Sequence, residues 1–407
     1  MRFFSLLLII ACGARAQEGW PMGRHALAIE CPGGELPFGL ILDAAGGRLR
    51  GWIENGPERI EIPRVTWDDE LVLDFTHYDS QVVLRVDSRE KRLHGTWTKV
   101  RGAGKASRMK VVTSTSTSPS RFPVSGAAHD PSWIDGRWAV RFASSEDPAV
   151  GLFTAAKSPP YAVTGTFMTT LGDYRYLAGN VDRGVTRLSC FDGAHAFLFH
   201  VRSGADGTMS GDFWSSGTWH EKLSGKRDAS ARLPDCWKLT SWIEGADLSK
   251  VTFTDLDGKQ RSLDDPAFQG KARLIEVFGT WCPNCHDHGA YMAELHRRYA
   301  DKGLRVLGLA FEHTDDHARS ARQVKTFRER HGARFPVLIA GLSDKDKATD
   351  RLGLLDRIRS YPTTIFMDGA GRIRGVHQGF SGPATREAHD RLRRRFESLI
   401  EDMLASK

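Results

Sequence analysis

Leu274-Ile275-Glu276-Val277-Phe278-Gly279-Thr280-Trp281-Cys282-Pro283-Asn284-Cys285 decides how this chain is read. The apolar run that opens it is broken only by Glu276, and a helix-like segment follows from Pro283. The two cysteines fall at a strand-to-helix junction with two residues between them, a spacing that can close a small disulfide. The first sulfur then lies at the helix N-terminus. There the unsatisfied N–H groups and the helix dipole favour a thiolate, the species that attacks disulfides. Pro283 suits a first helical turn, where its missing N–H is not needed.

Cys282-Pro283-Asn284-Cys285-His286 also spells C-x-x-C-H, the attachment pattern of c-type haem. Haem chemistry calls for a small helical domain and leaves Trp281 and the preceding strand without a role. A structural zinc site calls for a second C-x-x-C, which the sequence lacks. The redox reading calls for a βαβ pattern, and one follows. A buried strand over 273–279 leads to a helix over about 284–301. Leu304 to Phe311 reads as a second buried strand, 315–331 as a helix, and Phe335 to Ile339 as a short strand. Thr364 to Met367 and Arg372 to Val376 flank Asp368-Gly369-Ala370-Gly371, a hairpin, and Pro383 opens a last helix. Upstream, Val251-Thr252-Phe253-Thr254 and Lys259-Gln260-Arg261-Ser262 flank Asp257-Gly258, another hairpin signal. This order predicts a thioredoxin arrangement.

From about residue 250 to 407 the chain resembles the TlpA-like, ResA-like branch of exported thioredoxin-fold thiol-disulfide oxidoreductases. Phe278 to Cys285, Tyr361-Pro362-Thr363-Thr364 and the hairpin ending Gly371-Arg372-Ile373 carry the resemblance. It implies that Cys282 attacks and Cys285 resolves, the two forming the redox-active disulfide. It implies a cis-proline at Pro362 that faces the pair and accepts substrate backbone, with Trp281, Tyr361 and Thr363 around it as substrate-binding residues. In thioredoxins a buried acid occupies the place of Glu276 and moves protons to and from the second cysteine. Burial raises a carboxyl pKa, which suits that task. A Glu at a sheet end pointing to solvent is the other reading, and the flanking apolar residues argue against it. His288 is a departure, because ResA-like members carry Glu there. It is preceded by Asp287; either could assist proton transfer, or both could be ordinary surface residues of the first helix. Glu312-His313-Thr314 ends the second central strand and is read as a loop cap.

Residues 24 to about 235 read as all-β. Short alternating runs such as Leu71-Val72-Leu73-Asp74-Phe75 and Gln81 to Val86 are separated by Gly46-Gly47, Asn55-Gly56-Pro57 and Asp206-Gly207. Phe75 and Phe191, Gly95 and Gly211, and Trp97 and Phe213 are separated by one and the same interval. The polar stretch Thr113 to Ser120 joins the two halves. A barrel or sandwich built from a duplicated unit is predicted. Trp52, Trp67, Trp97, Trp133, Trp138, Trp214 and Trp219 are read as core rather than pocket. His77, His195 and His200 have no metal spacing, and no metal site is expected.

The chain has 407 residues, enough for two or three domains. The predicted division is an export signal over 1–16, the duplicated β domain over 17–240, and a thioredoxin-like domain over 241–407. Arg2, the apolar Phe3 to Ile10 and Ala14-Arg15-Ala16 before Gln17 form the signal. Ile9-Ile10-Ala11-Cys12 also resembles a lipobox, which would anchor Cys12 in lipid. Export lets disulfides persist, so Cys31 and Cys236 could staple the middle region, or stay reduced. Net charge is +7, with arginines dense at 391–395, read as a solvated helix face rather than a nucleic-acid arm. The expectation is a periplasmic protein disulfide reductase without a cofactor. It would act on protein thiols and disulfides and draw electrons from a membrane reductant. A peroxiredoxin-like peroxidase and a copper-binding assembly factor using the C-x-x-C pair are the alternatives.

Overall fold

A computed structural model describes residues 21–87, 89–100, 106–116, 120–125, 131–158 and 160–406. The export signal, Cys12 and residues 117–119 of the polar joint lie outside the described residues.

Strands β1 (Gly23–Cys31), β2 (Gly34–Ala45), β3 (Arg48–Asn55), β4 (Glu58–Glu61), β5 (Arg64–Trp67), β6 (Leu71–Phe75), β7 (Ser80–Asp87), β8 (Arg92–Val100) and β9 (Ala106–Thr113) form one antiparallel sheet. Their order is β4-β3-β2-β1-β9-β8-β7-β6-β5. A backbone bond from Ile62 N–H to Gly51 O, 2.9 Å, carries the β3–β4 pairing on to the link that leads into β5. Alternation decides which side faces in: Leu71, Leu73 and Phe75 of β6 are buried between half-buried Val72 and Asp74. Trp97 is core, its indole N–H donating to Ser80 Oγ at 2.7 Å.

The second sheet comprises β10 (Gly136–Phe142), β11 (Ala149–Ala155), β12 (Ala162–Thr169), β13 (Gly172–Asp173), β14 (Leu177–Asp182), β15 (Val185–Phe191), β16 (Ala196–Ser203), β17 (Thr208–Ser215) and β18 (Trp219–Arg227). Its order is β11-β10-β18-β17-β16-β15-β14-β12-β13, and β11 also pairs with β12. That pairing closes an eight-stranded barrel, with β13 outside it. Closure removes the sheet edges that would otherwise invite association. Asn55 ties the sheets together: its Nδ2 donates to Phe191 O at 2.8 Å and its Oδ1 accepts from Phe191 N–H at 3.2 Å.

The remaining residues form a thioredoxin fold. Strands β19 (Thr252–Thr254), β20 (Gln260–Ser262), β21 (Ala272–Phe278), β22 (Leu304–Glu312), β23 (Val337–Leu342), β24 (Thr363–Asp368) and β25 (Ile373–Gln378) make a sheet ordered β20-β19-β23-β22-β21-β24-β25. β21, β22 and β23 run parallel, and β24 is antiparallel to β21. Every residue of β21 is buried, as its near-continuous apolar run requires. Helices α1 (Pro283–Tyr299), α2 (His317–His331), α3 (Lys345–Leu352) and α4 (Glu387–Ala405) cover the sheet. Trp237 packs on Phe366 and Phe396 of this core, at 5.1 and 5.5 Å between rings.

Two details differ from the sequence reading, and a third falls to one of two readings it left open. α3 was not expected, because only Ala348 and Leu352 of it are buried and no apolar period announces it. Pro383 opens a single 3-10 turn, which Arg386 breaks at φ 55°, so α4 starts at Glu387. Cys31 and Cys236 form no staple; their thiols donate to Gly34 O and Pro234 O. No helix among the described residues is long and apolar enough to cross a membrane.

Candidate functional site

β21 delivers the chain to Gly279, and α1 starts four residues later with Cys282 as its N-cap. The Cys285 N–H donates to Cys282 Sγ at 3.4 Å, so a helix-terminal donor already points at the sulfur. Cys282 is 8% exposed and Cys285 is fully buried. Burial, reinforced by Cys282 beside it, pushes the Cys285 thiol well above its ordinary value. The two sulfurs are therefore unequal: one reaches the surface at a helix N-terminus, the other is a buried thiol that holds its proton.

Tyr361-Pro362 is a cis peptide. Tyr361 O lies 3.6 Å from Cys282 Sγ, and Pro362 O accepts from Gly379 N–H at 2.8 Å. Trp281 donates from its indole to Phe311 O at 2.9 Å, stacks on His313 and meets Tyr361 edge-on at 5.6 Å. Thr363 lies inside, its hydroxyl bonded to Ser360 O at 2.9 Å. Trp281, Tyr361 and Pro362 thus gather around Cys282, with Thr363 beneath them.

Glu276 sits in the middle of β21 with no exposure. Its Oε1 is 2.7 Å from His288 Nδ1, and His288 Nε2 is 3.1 Å from Thr364 Oγ1. Glu276 Oε2 has no hydrogen-bond partner. His288 follows Cys285 by almost one helical turn, which brings its side chain inward beneath the motif. The sequence marked His288 as a departure but could not place it on Glu276, because strand-to-helix contacts leave no spacing signature. Glu312 accepts from Thr280 N–H (3.0 Å) and Thr280 Oγ–H (2.7 Å), bracing the turn before Trp281. Burial pushes its carboxyl up to about 7.

His286 is no haem ligand in this setting. It is buried, and both ring nitrogens are engaged, one with Thr280 O at 2.7 Å and one with His331 Nε2 at 2.8 Å. Among the described residues no group of three His, Cys, Asp or Glu is placed to hold a metal ion. The β part reaches the same helix: Arg175 bonds Asp287 at 2.9 Å and Glu58 at 2.6 Å.

The AhpC/TSA family model matches residues 245–376. The thioredoxin-like protein YneN of Bacillus subtilis (strain 168) is 31% identical over 138 residues, 33% of this chain and 72% of its own length. The chain belongs to the ResA-like family of thioredoxin-fold proteins. The thiol-disulfide oxidoreductase ResA of Bacillus thuringiensis (strain Al Hakam) is 31% identical over 129 residues, covering 32% of this chain. The chain spans 66% of the length of that relative. A thiol:disulfide interchange protein of Chlorobium tepidum TLS, known from its crystal structure, aligns over 40% of this chain and all of its own. That alignment has 21% identity and a TM-score of 0.29. The two sheets of the β part, β1 to β18, precede the residues that the family model matches.

Proposed function

We propose that this protein is an exported thiol-disulfide oxidoreductase that reduces protein disulfides through Cys282 and Cys285. The observation that carries the reading is the unequal pair: Cys282 Sγ accepts a helix-terminal N–H beside a cis-proline, and Cys285 is fully buried with Glu276 among the charges that act on it. Cys282 thiolate attacks one sulfur of the substrate disulfide. A Cys282–substrate bond forms, and the substrate's own S–S bond breaks, releasing one substrate thiolate. Cys285 then gives its proton to the Glu276–His288 pair and attacks Cys282 Sγ. The second substrate thiolate leaves and takes up a proton. The substrate disulfide has gained two electrons and the Cys282–Cys285 pair has lost them. A dithiol donor at the membrane returns the pair to its reduced state.

Trp281, Tyr361, Pro362 and Thr363 shape the surface on which the substrate backbone lies. Export is supported by the signal-like residues 1–16, with Cys12 as a lipid anchor the alternative. The β part over 17–240 is a duplicated recognition unit, ahead of a thioredoxin-like domain over 241–407. In support, Phe75 and Phe191 close β6 and β15, Gly95 and Gly211 lie on β8 and β17, and the neighbour succession β6-β7-β8-β9-β1-β2 in one sheet parallels β15-β16-β17-β18-β10-β11 in the other. The Phe75 and Phe191 rings meet edge-on at 5.9 Å.

Trapping tests the reading. Cys285→Ser is expected to accumulate mixed disulfides with substrate, and Cys282→Ser few. Full insulin reduction by both variants overturns it.

A further inference from the structure

The segment from Thr169 to Arg175 leaves the β barrel and lies against the redox site. Thr170 O accepts from Gln378 Nε2 at 2.8 Å. Gln378 ends β25, and the next residue, Gly379, donates to Pro362 O. A β-carbon at Gly379 would lie 3.2 Å from Thr170 O and 3.5 Å from the Leu171 carbonyl carbon. On the other side, a β-carbon at Gly172 would fall 1.9 Å from Asn284 Nδ2. Asn284 stands between the two cysteines. The turn carrying Leu171 is therefore wedged between the C-x-x-C motif and the end of β25, next to the glycine that bonds Pro362 O.

Polar bonds fix it there. Asp147 accepts from Thr170 Oγ–H and from Arg359, each at 2.6 Å, and Arg359 lies two residues before Tyr361. Asp173 Oδ2 accepts from Gly382 N–H at 2.6 Å. Arg175 bonds Asp287, two residues after Cys285. At the crest of this braced turn Leu171 is 44% exposed, one of few large apolar side chains so exposed among the described residues. A single exposed leucine needs no explanation by its exposure alone. Its place does: Leu171 is the neighbour of Gly172, which abuts Asn284 between the two cysteines, so a fixed apolar side chain stands next to the motif that a disulfide-bearing polypeptide must approach.

We propose that the 169–175 turn is one wall of the substrate site, and that Leu171 makes an apolar contact with the polypeptide flanking the substrate disulfide. Gly172 and Arg175 are positioning residues for that wall. The substrate class is then protein disulfides with apolar neighbours, in segments open enough to lie along the turn, in preference to small soluble disulfides. The proposal rests on disulfide exchange at Cys282.

The test compares two substrates on the full-length protein: insulin, and the small uncharged 2-hydroxyethyl disulfide. Leu171→Ser lies at an exposed position, so it leaves the core untouched. It is expected to raise KM for insulin about five-fold with kcat little changed. Its kcat/KM on the small disulfide is expected to stay within about two-fold of wild type, and Leu171→Met is expected to restore insulin KM. An unchanged insulin KM, or an equal loss on both substrates, overturns the wall while leaving the exchange reading intact. Wild-type protein inactive on both substrates overturns the exchange reading and the wall with it.

Discussion

His288 Nδ1 lies 2.7 Å from Glu276 Oε1, and neither side chain reaches solvent. A buried carboxylate is tolerated only where a partner compensates its lost hydration. Here the partner comes from the helix that begins at the redox motif, so the pair ties the centre of the sheet to that helix. Thr364 Oγ1 holds the other ring nitrogen and fixes the ring's orientation.

Glu276→Gln tests the proton step. The amide is nearly isosteric and can still bond His288, so the fold is expected to persist. Resolution of the mixed disulfide is expected to slow by about 10- to 100-fold. Rapid-quench measurement of the mixed-disulfide lifetime reads the effect. Equal rates for variant and wild type between about pH 6 and pH 9 would sink the assignment.

The pair also makes a stability prediction. His288→Leu strands Glu276 in the core and is expected to cost about 3–5 kcal/mol in urea denaturation. Combining His288→Leu with Glu276→Leu removes both polar groups and is expected to recover most of that loss. A double variant no more stable than His288→Leu alone would show that the pair is not the source of the effect.

Much of the thioredoxin part was legible because its signals are local. The apolar run of β21, Pro283 at the first turn of α1 and the Gly-rich turn before Ile373 each declare themselves within a few residues. α3 was not legible, since a short helix with two buried residues has no period to read. Cys282, Cys285 and Pro362 could be named from motif alone. The partnership of Glu276 with His288 and the approach of Gly172 to Asn284 could not. Both depend on which elements pack together, and contacts between distant elements leave no mark on residue spacing. Equal intervals in the β part suggest two similar halves, but an interval says nothing about the closure of the second sheet through β11 and β12.

Glu312 gives a pH prediction with a definite sign. Burial raises its carboxyl from 4.5 to about 7, so the folded state holds the proton more tightly than the unfolded chain. Its contribution to stability is full below the unfolded value and is lost as pH rises through about 7. Glu312→Gln carries no such charge and keeps an acceptor for Thr280. The variant is expected to gain on wild type as pH rises from about 5 to about 8, by about 1–3 kcal/mol in chemical denaturation. A gap that stays flat across that range would contradict the buried-acid account.

Arg175 is the cation at the seam, with Glu58 at 2.6 Å, Asp287 at 2.9 Å and Asp192 at 3.9 Å. Arg175→Met keeps the length of the stem and removes the charge. Three acidic groups are then left facing one another, and the loss is expected to be about 3–5 kcal/mol. Arg175→Lys keeps the charge but loses the two-sided fork and should fall between. Denaturation of the full-length protein, followed by tryptophan fluorescence, reads the series. Equal stability of the Met and Lys variants would mean that charge at this position is immaterial.

His77, His286 and His331 make the seam sensitive to acid. The His77 ring lies 5.0 Å from that of His286, which bonds His331 across 2.8 Å. Burial lowers all three below the usual imidazole range, His77 to about 3 and His331 to about 4, and Arg330 lowers His77 further. Asp192 opposes this at His77, while Arg175 adds to it. The sign is opposite to that of Glu312. Each ring is neutral when folded and protonates when unfolded, so the stability it supplies is present above about 6.5 and is lost as pH falls toward the folded values. At pH 5 the burden from His77 alone is about 2 kcal/mol. Wild-type protein is therefore expected to lose stability steeply between about pH 6.5 and pH 4.5, and His77→Phe, which keeps an aromatic ring against Tyr78 and His286, is expected to lose about 2 kcal/mol less over that interval. Thermal denaturation of both proteins across the range reads the difference. Parallel curves for variant and wild type would place the acid sensitivity elsewhere.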